Sequence, residues 1–458
     1  MIILENSTYD ARSIGWNLGA PEYSYWFVRK AFHPILQRFG IVVPIADPAN
    51  DVDGICRNAA AQGERCAYFS FNPPHRATLG LKCPTVPVFA WEFDTIPDEE
   101  WGEEPRNDWT AVLRQSAAAI THSQFSVRAV RRSLGDAYPI WSIPAPVHRP
   151  NAKRTRSALG WRPPTRLSIT GLVIDAGAVD LSVFDVQRAK SDGAEALHRL
   201  GTKLFQRNQK PFRVSVNGVI YTAVFNPVDG RKNWTDMLAG FIWAFRDAPD
   251  ATLLLKLTHH DVVLGMLPIL AEITKLGPFK CRVLLIHGML PAQEYDALVD
   301  ATSYAVNTSS GEGQCLPLME FMSAGRPAVT PSHTAMLEYV SSDNSFLVRS
   351  TEKPAVWPQD PRHAIRCMRH VLSFADLVRA YKESFEVARH RPRQYAAMSA
   401  AATTALERFC SDEVVASRLR DVLRHLGMPA AFGPALASDA NIGAPDGDSR
   451  TALGEVAS

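Results

Sequence analysis

The sequence lacks the cysteine spacings that mark common metal sites and disulfide-rich folds. Its 458 residues contain seven cysteines and no Cys-x-x-Cys pair. The odd count and the irregular intervals match neither a zinc site nor a disulfide framework. We therefore expect reduced cysteines, as is typical of cytoplasmic proteins. The seven are Cys56, Cys66, Cys83, Cys281, Cys315, Cys367 and Cys410.

Long apolar runs are also missing. Segments such as Val283-Leu-Leu-Ile286 fall far short of the roughly 20 apolar residues that a membrane-spanning helix needs. The opening residues 1–6, Met-Ile-Ile-Leu-Glu-Asn, show neither the basic stretch nor the apolar core of a secretory signal. These features predict a cytoplasmic protein, and we expect any membrane contact to be peripheral, at the inner face.

The chain carries no large excess of either charge. Its 49 Lys and Arg against 47 Asp and Glu give a net charge of +2, which offers no general attraction for nucleic acid. The sequence contains no serine nucleophile elbow, no Walker phosphate loop and no Gly-x-Gly-x-x-Gly fingerprint. His259-His260 lacks a third ligand at metal-like spacing and Asp51-Val-Asp53 is a weak metal motif, so we expect no metal site.

What the sequence does contain is two stretches in which short apolar runs alternate with helical patterns. The first covers residues 1–150, and the alternation restarts over residues 213–360 after a proline-rich break. Strands that alternate with helices indicate crossover units and a parallel sheet. We predict an α/β protein with two Rossmann-like domains, followed by helices over 361–428 and a disordered tail over 429–458.

Between the two stretches lies a basic segment, residues 151–212. Residues 151–213 contain 12 Lys and Arg against 5 Asp and Glu, a net charge of +7. We interpret this segment as a solvated linker or insertion. A contact surface for an anionic acceptor or a membrane face is the alternative, and the charge pattern is compatible with both.

A glycine-bearing loop is the most informative feature of the second stretch. Residues 309–315, Ser-Ser-Gly-Glu-Gly-Gln-Cys, follow a predicted strand and precede a predicted helix whose first turn includes Pro317. Proline is favoured there because its missing N–H would have no intrahelical partner. The free N–H groups and the positive dipole end of such a helix suit a diphosphate. Gly311 and Gly313 would let the backbone approach a ligand closely.

Two glutamates belong to this loop and helix. Glu312 lies in the loop and Glu320 about one turn into the helix, so both are expected near the carboxyl edge of the sheet, where open α/β folds bind ligands. Carboxylates accept hydrogen bonds from paired sugar or ribose hydroxyls. Taken alone, the Glu-x7-Glu spacing favours a plainer interpretation, a helix-start glutamate complementing the dipole and a loop glutamate facing water.

The surrounding residues change that balance. The loop, Leu316-Pro317, Glu320 and Met322-Ser-Ala-Gly-Arg-Pro327 together resemble the large retaining family of GT-B glycosyltransferases, the group 1 glycosyl transferases with a Glu-x7-Glu motif. The resemblance implies that Glu312 faces the donor sugar and that Glu320 hydrogen-bonds the nucleotide ribose. This sequence departs from the family at Gln314-Cys315, where Phe-Gly is usual.

The same resemblance implies the architecture. Two Rossmann-like domains would face each other across a cleft, with an acceptor domain over 1–150 and a nucleotide-sugar donor domain over 213–360. The resemblance also implies that two segments contact the sugar donor through their backbones or side chains. One is the loop with Glu312, and the other follows another predicted strand. These candidates are Gly288, Met289, Leu290, Gly311, Gly313, Gln314, Cys315 and Leu316.

A second landmark matches the same family. Lys232 corresponds to the family's lysine that neutralises the donor diphosphate, while the family's arginine would fall near Pro227 and is missing. Arg231 is a candidate to replace it, and Lys256 at a strand end is another. A departing nucleoside diphosphate develops negative charge, which a fixed cation stabilises without a metal.

A carboxylate in the first stretch completes the predicted site. Glu92 and Asp94 follow a predicted strand where the family has a cleft-facing His-Asp loop. Either carboxylate is a candidate to orient an acceptor hydroxyl or to assist its deprotonation. We take Asp94 as the catalytic candidate beside Glu312 and Lys232, with a capping or ion-pairing role for Asp94 as the alternative.

The resemblance implies a reaction class. A sugar would pass from a UDP-, GDP- or ADP-sugar to a hydroxyl of a glycan or lipid-linked glycan, with retention of configuration and without a metal or bound cofactor. One alternative is a non-transferring enzyme of the same fold, such as a nucleotide-sugar epimerase, which would need no acceptor. The other is a non-catalytic nucleotide- or glycan-binding protein.

Overall fold

The computed structural model describes residues 1–148, 159–184, 195 and 211–429. Two sheets of mainly parallel strands organise this part of the chain. Nearly all of the predicted tail, 429–458, and most of the basic stretch after residue 184 lie outside the described residues. Within the described residues, no helix combines the length and the apolar composition that crossing a bilayer requires.

The first sheet has six parallel strands in the order β2-β1-β3-β4-β5-β6. Its strands are β1 (Ile2–Ser7), β2 (Ile41–Pro44), β3 (Cys66–Phe71), β4 (Thr85–Phe89), β5 (Ala119–Thr121) and β6 (Ile140–Ser142). Its helices are α1 (Ser24–Gln37), α2 (Pro48–Ala61), α3 (Trp109–Arg114) and α4 (Gln124–Leu134). The two aspartates of the weak metal motif, Asp51 and Asp53, both lie in α2.

The second sheet follows the order β14-β13-β12-β9-β10-β11-β8, and β7 pairs with β9. Its strands are β7 (Arg162–Ile169), β8 (Leu172–Asp175), β9 (Phe212–Phe225), β10 (Ala251–Leu257), β11 (Arg282–His287), β12 (Tyr304–Val306), β13 (Ala328–Thr330) and β14 (Ser345–Leu347). Its helices are α5 (Trp234–Phe245), α6 (Val262–Leu276), α7 (Ala292–Ala301) and α8 (Leu316–Ser323). All strands except β7 and β8 pair in parallel.

Short polar side chains fix where several helices begin. Asp108 accepts hydrogen bonds from the first backbone N–H groups of α3, Ser123 does so for α4 and Asp261 for α6. These N–H groups have no partner inside the helix, so each cap stabilises its helix by about 1 kcal/mol. The caps place the helix starts just beyond the carboxyl ends of the strands.

The segment 151–212 is only partly a linker. Its residues Arg162–Ile169 and Leu172–Asp175 form β7 and β8, which pair with β9 and β11 of the second sheet. Leu167 and Ile169 are almost fully buried, although the alternating pattern around them carries several basic residues. The net positive charge of the whole segment obscured these strands, although Leu167 and Ile169 alternate with exposed residues such as Arg166.

The helices after the second sheet start later than predicted. Residues Ser350–Val356 and Arg366–Leu372 form an antiparallel hairpin, β15 and β16, which belongs to neither large sheet. Helices α9 (Phe374–His390), α10 (Pro392–Cys410) and α11 (Asp412–His425) follow. The prediction of helix from residue 361 was therefore wrong up to residue 373, because β16 alternates in burial rather than following a helical period.

The last helix crosses back to the first domain. Val415, Leu419 and Leu423 of α11 are fully buried in a core that includes Ile3, Phe32 and other residues of the first sheet and α1. Their spacing of four residues places them on one face of the helix. The end of the described chain thus covers the first domain rather than the second.

The expectation that all cysteines are reduced and unpaired was wrong for one pair. Cys56 on α2 and Cys83, just before β4, are joined by a disulfide, and Cys66 at the start of β3 lies beside them. Sequence intervals failed here because the fold, not the spacing, brings the start of two parallel strands next to a crossover helix.

Candidate functional site

The predicted site lies where the strand order of the second sheet reverses. From β9 the chain builds outward through β10 and β11, then returns to the other side of β9 and builds outward through β12, β13 and β14. The loops after β9 and β12 therefore leave the same edge in opposite directions. Such a switch point opens a crevice at the carboxyl ends of the strands, where α/β folds bind ligands.

Lys232 and Glu312 meet in this crevice. Lys232 follows β9, Glu312 follows β12, and the Lys232 Nζ lies 2.7 Å from the Glu312 Oε1. The two loops are also joined through their backbones, since the Ser310 N–H donates to the Arg231 carbonyl at 2.8 Å. The two residues that the sequence analysis chose from separate motifs are direct partners.

Arg231 is the second cation of the site. Its guanidinium lies 2.6 Å from a carboxylate oxygen of Asp229 and 2.9 Å from one of Glu92, and it reaches the Gly311 carbonyl at 3.3 Å. Glu92 belongs to the first domain, so this contact crosses the cleft. Arg231 thus occupies the position between the two domains.

The site holds more negative than positive charge. Arg231 and Lys232 face three carboxylates, Asp229, Glu92 and Glu312, which gives a local charge of −1 when all are ionised. Burial alone would raise the pKa of Glu312, but Lys232 and Arg231 outweigh it and hold this pKa below its ordinary value. Burial raises the pKa of Glu92, and Arg231 does not compensate fully. Of the three carboxylates, Glu92 is therefore the one whose ionised form is least stabilised by its surroundings.

The two loop glycines permit a close approach of the first domain. A Cβ at Gly313 would come within 2.8 Å of the Trp91 backbone nitrogen, and one at Gly311 within 3.1 Å of the Glu92 carbonyl oxygen. The sequence analysis expected these glycines to admit a ligand. The space beside them is filled by the segment that follows β4.

The next three loop residues serve the helix and the domain contact. Gln314 accepts a hydrogen bond from the Ala145 N–H of the first domain at 3.1 Å through its side chain. Cys315 has a left-handed φ of 65° and caps α8, while Leu316 begins that helix and packs against the core of the first domain. Pro317 lies in the first turn of α8, as predicted.

Glu320 lies on α8, where Tyr295 donates a hydrogen bond to its carboxylate at 2.6 Å. Lys256 on β10 is buried, and burial lowers the pKa of its ammonium to about 8 while Glu320 opposes the shift. This places a cation and a carboxylate near each other at the carboxyl edge of the sheet. Glu320, which was predicted to bind the ribose, and Lys256, a candidate cation, therefore share one part of the crevice.

The segment Gly288–Leu290, which was predicted to contact the sugar donor, contains two kinds of residue. Gly288 has a φ of 117°, which favours glycine, and Met289 after it is 41% exposed. Leu290 is buried in the core beside Ile286 and Leu298. The backbone of this loop and Met289 are accessible for a ligand contact, whereas Leu290 packs inward.

Asp94 is held away from the cation pair. One of its carboxylate oxygens accepts from Arg132 at 3.0 Å, and the other accepts from the Met368 N–H of β16 at 2.7 Å. Both carboxylate oxygens of Asp94 are thus engaged by groups around the hairpin. Glu92, two residues earlier, is the carboxylate that reaches Arg231.

A pair of stacked histidines beside the loop was not predicted from the sequence. His333, after β13, stacks on His370 of β16 with ring centroids 4.0 Å apart. Burial lowers the pKa of His333 to about 3, and His370 adds to the shift. The neighbouring Thr334 accepts a hydrogen bond from the Glu312 N–H at 3.0 Å. The position of His333 at the end of the strand beside β12 was the available signal.

The first sheet has its own switch point, between β1 and β3. There the side chain of Asn72 accepts from the Thr8 N–H at 2.8 Å and donates to Asn6 at 3.1 Å. Glu22 lies alongside and pairs with Arg76 at 3.0 Å. This edge of the first sheet combines amides and hydroxyls with separate charged pairs, including the buried Glu5 of β1 and His33 at 2.8 Å.

The chain matches no protein-family model and no curated protein significantly. Several solved structures resemble it along nearly their whole length. A crystal structure of HepE from Anabaena in complex with UDP matches at 14% identity and a TM-score of 0.50, covering 92% of this chain and 99% of that one. Sucrose-phosphate synthase from Thermosynechococcus elongatus matches at 13% and 0.50, covering 93% and 99%.

A glycosyltransferase from Rickettsia africae gives a similar result, with 10% identity, a TM-score of 0.50 and coverage of 93% of this chain and 98% of that one. At such identities the likeness concerns the fold. The fold is GT-B, with two Rossmann-like domains facing across a cleft and helices at the C-terminal end, which confirms the predicted fold class.

Proposed function

We propose that this protein is a glycosyltransferase that moves a sugar from a nucleotide-diphosphate sugar to a hydroxyl acceptor. The observation that carries the proposal is the pair of buried cations, Arg231 and Lys232, at the switch point of the second sheet, facing Glu312 of the loop before α8. The GT-B fold is shared with a protein that is named as a glycosyltransferase and with HepE, which was solved in complex with UDP.

In this proposal Lys232 and Arg231 bind the diphosphate. Both cations are mostly buried, with 18% of each side chain exposed, so their field is screened less than that of surface charges. Charge that develops on the departing nucleotide is stabilised by groups that are already in place. The N–H groups at the start of α8 lie next to the same loop and favour the same anion.

The sugar donor must displace carboxylates from these cations. Glu92 is the one to leave most readily, because it belongs to the other domain and burial raises its pKa. Separation of the domains by a small distance would free Arg231 and open the space beside Gly311 and Gly313. Glu92 would then lie opposite the reacting sugar, where a carboxylate is able to orient an acceptor hydroxyl.

Glu320 accepts hydrogen bonds from the ribose hydroxyls, and Tyr295 fixes the orientation of its carboxylate. Glu312 faces the donor sugar. The reaction retains the anomeric configuration and needs neither a divalent metal nor a bound cofactor, since Arg231 and Lys232 supply the positive charge. The acceptor is a glycan or lipid-linked glycan, met in the cytoplasm or by peripheral contact with the inner face of the membrane.

The test is turnover by the full chain. The protein is incubated with UDP-, GDP- and ADP-sugars, with and without candidate glycan acceptors and with and without EDTA, and released nucleotide is measured. We expect acceptor-dependent release with one nucleotide class, unchanged by EDTA, and an NMR spectrum of the product that shows the anomeric configuration of the donor.

Two controls separate this function from its alternatives. Lys232→Met should abolish the acceptor-dependent release, whereas Lys280→Met, at an exposed pair with Asp247, should not. Nucleotide release with an altered free sugar and no acceptor would identify an epimerase instead. Tight nucleotide binding with no turnover of any donor would identify a binding protein.

A further inference from the structure

Three cysteines meet at the edge of the first sheet that lies opposite the cleft. Cys56 comes from α2, Cys66 begins β3, and Cys83 precedes β4. Cys56 and Cys83 form the disulfide, and the three Sγ atoms all lie within 4.8 Å of one another. Among the described residues, this is the one group of three or more His, Cys, Asp or Glu side chains with the spacing of metal ligands.

The surrounding fold holds the three cysteines together independently of the disulfide. Asp53 on α2 accepts hydrogen bonds from the N–H groups of Lys82 at 2.9 Å and Cys83 at 3.1 Å, which fastens the segment before β4 to the helix. Val52 is fully buried, and Cys83 packs in the same small core. Reduction of the disulfide would therefore leave three thiols in contact.

We propose that Cys56, Cys66 and Cys83, after reduction of the disulfide, form a three-thiolate site for a thiophilic cation of the zinc class. A Zn–S distance of about 2.3 Å puts the sulfurs of one ion roughly 4 Å apart, so the cluster needs only a small rearrangement. Three protein ligands leave a fourth position for water, as in open zinc sites.

A dithiol is the reductant that opens the Cys56–Cys83 disulfide. The dithiol supplies two electrons and two protons, its own sulfurs form a disulfide, and the Cys56–Cys83 bond becomes two thiols. The cation then replaces the protons of three thiols, and these protons pass to the buffer. Metal binding and the disulfide therefore exclude each other.

The test uses the whole chain, reduced with a dithiol that is then removed under anaerobic conditions. The reduced protein is titrated first with Co²⁺ and then with Zn²⁺. We expect one Co²⁺ per chain with a sulfur-to-metal charge-transfer band, displacement by Zn²⁺, and a higher Tm with metal. Cys56→Ala and Cys66→Ala should each lose affinity by about 100-fold or more. Cys367→Ala, a cysteine of the hairpin, should bind as the wild type does.

Tm values without metal show whether each variant is folded. The proposal is overturned if the reduced wild type gives no charge-transfer band, if Cys66→Ala binds with unchanged affinity, or if the oxidised protein binds as tightly as the reduced one. The last result would place the ion elsewhere on the chain. A band that Cys367→Ala also loses would contradict the assignment as well.

Discussion

The two switch points of this protein have opposite chemical character. The crevice between β9 and β12 holds two cations and three carboxylates in direct contact, all buried or half-buried. The corresponding edge between β1 and β3 holds a network of amides and hydroxyls around Asn72, with the Glu22–Arg76 pair beside it. The same topology thus supports one site in which cations and carboxylates form a single cluster and another in which amides and hydroxyls lie beside separate charged pairs.

The difference follows the chemistry that each side would serve. A diphosphate carries a high charge density, and buried fixed cations bind it without a metal. A sugar acceptor is neutral and rich in hydroxyls, which amides and a carboxylate recognise through hydrogen bonds. In the proposed function, donor binding belongs to the second domain and acceptor binding to the first, and this division of roles is open to direct tests.

Loss of Lys232 should have the largest effect. Lys232→Met removes the cation that contacts Glu312 and leaves a buried carboxylate with less compensation. We expect the rate of transfer to fall by about 10²- to 10³-fold, the range for removal of one group that stabilises developing charge. Steady-state kinetics of sugar transfer measures it. A decrease below about threefold would remove Lys232 from the site.

Glu320→Gln should mainly weaken nucleotide binding. The carboxylate becomes a neutral amide, so hydrogen bonds to ribose lose their charge assistance and the contact with Tyr295 weakens. We expect the Kd for UDP or the matching nucleotide to rise by about tenfold, with a smaller change in kcat. Calorimetric titration checks this. Glu272→Gln, on the surface of α6, is the matched control and should bind normally.

Glu22→Gln tests the first domain. Its carboxylate is paired with Arg76 and receives a hydrogen bond from the Thr8 hydroxyl at 3.1 Å. We expect the KM for the acceptor to rise by about fivefold while the KM for the sugar donor stays constant, because a hydrogen bond to a neutral group contributes about 1 kcal/mol. An equal rise in both constants would contradict the division of roles between the domains.

Glu92→Gln and Asp94→Asn form the finest comparison. Glu92→Gln removes a carboxylate that competes for Arg231, so the Kd for the nucleotide should fall by about threefold. Asp94→Asn loses contacts to Arg132 and Met368 instead, which should lower the Tm by a few degrees and leave nucleotide affinity unchanged. Calorimetry and thermal unfolding of both variants measure the contrast. The reverse outcome would restore Asp94 as the cleft carboxylate.

Much of the fold was predictable because its signals are local. The bounds of α5, β10 and β11 agree with their apolar patterns, and Pro317 marked the start of α8. The hairpin β15–β16 was missed because its strands are largely exposed and contain few apolar residues, so they lack the apolar pattern that marks a buried strand. What holds it is distant in sequence, including the contact of Trp357 with Trp91, whose ring centroids lie 5.7 Å apart.

The same distinction, between local signals and contacts of distant segments, applies to the site. Strand and helix periodicity are encoded within a few residues, so it was predictable that the loops with Glu312 and Lys232 follow strands of a parallel sheet. Three contacts became visible only in the folded chain: the two strands are neighbours, Glu92 rather than Asp94 contacts Arg231, and Cys56, Cys66 and Cys83 meet. Pairing of distant segments depends on strand order and domain contact, which no short stretch of sequence specifies.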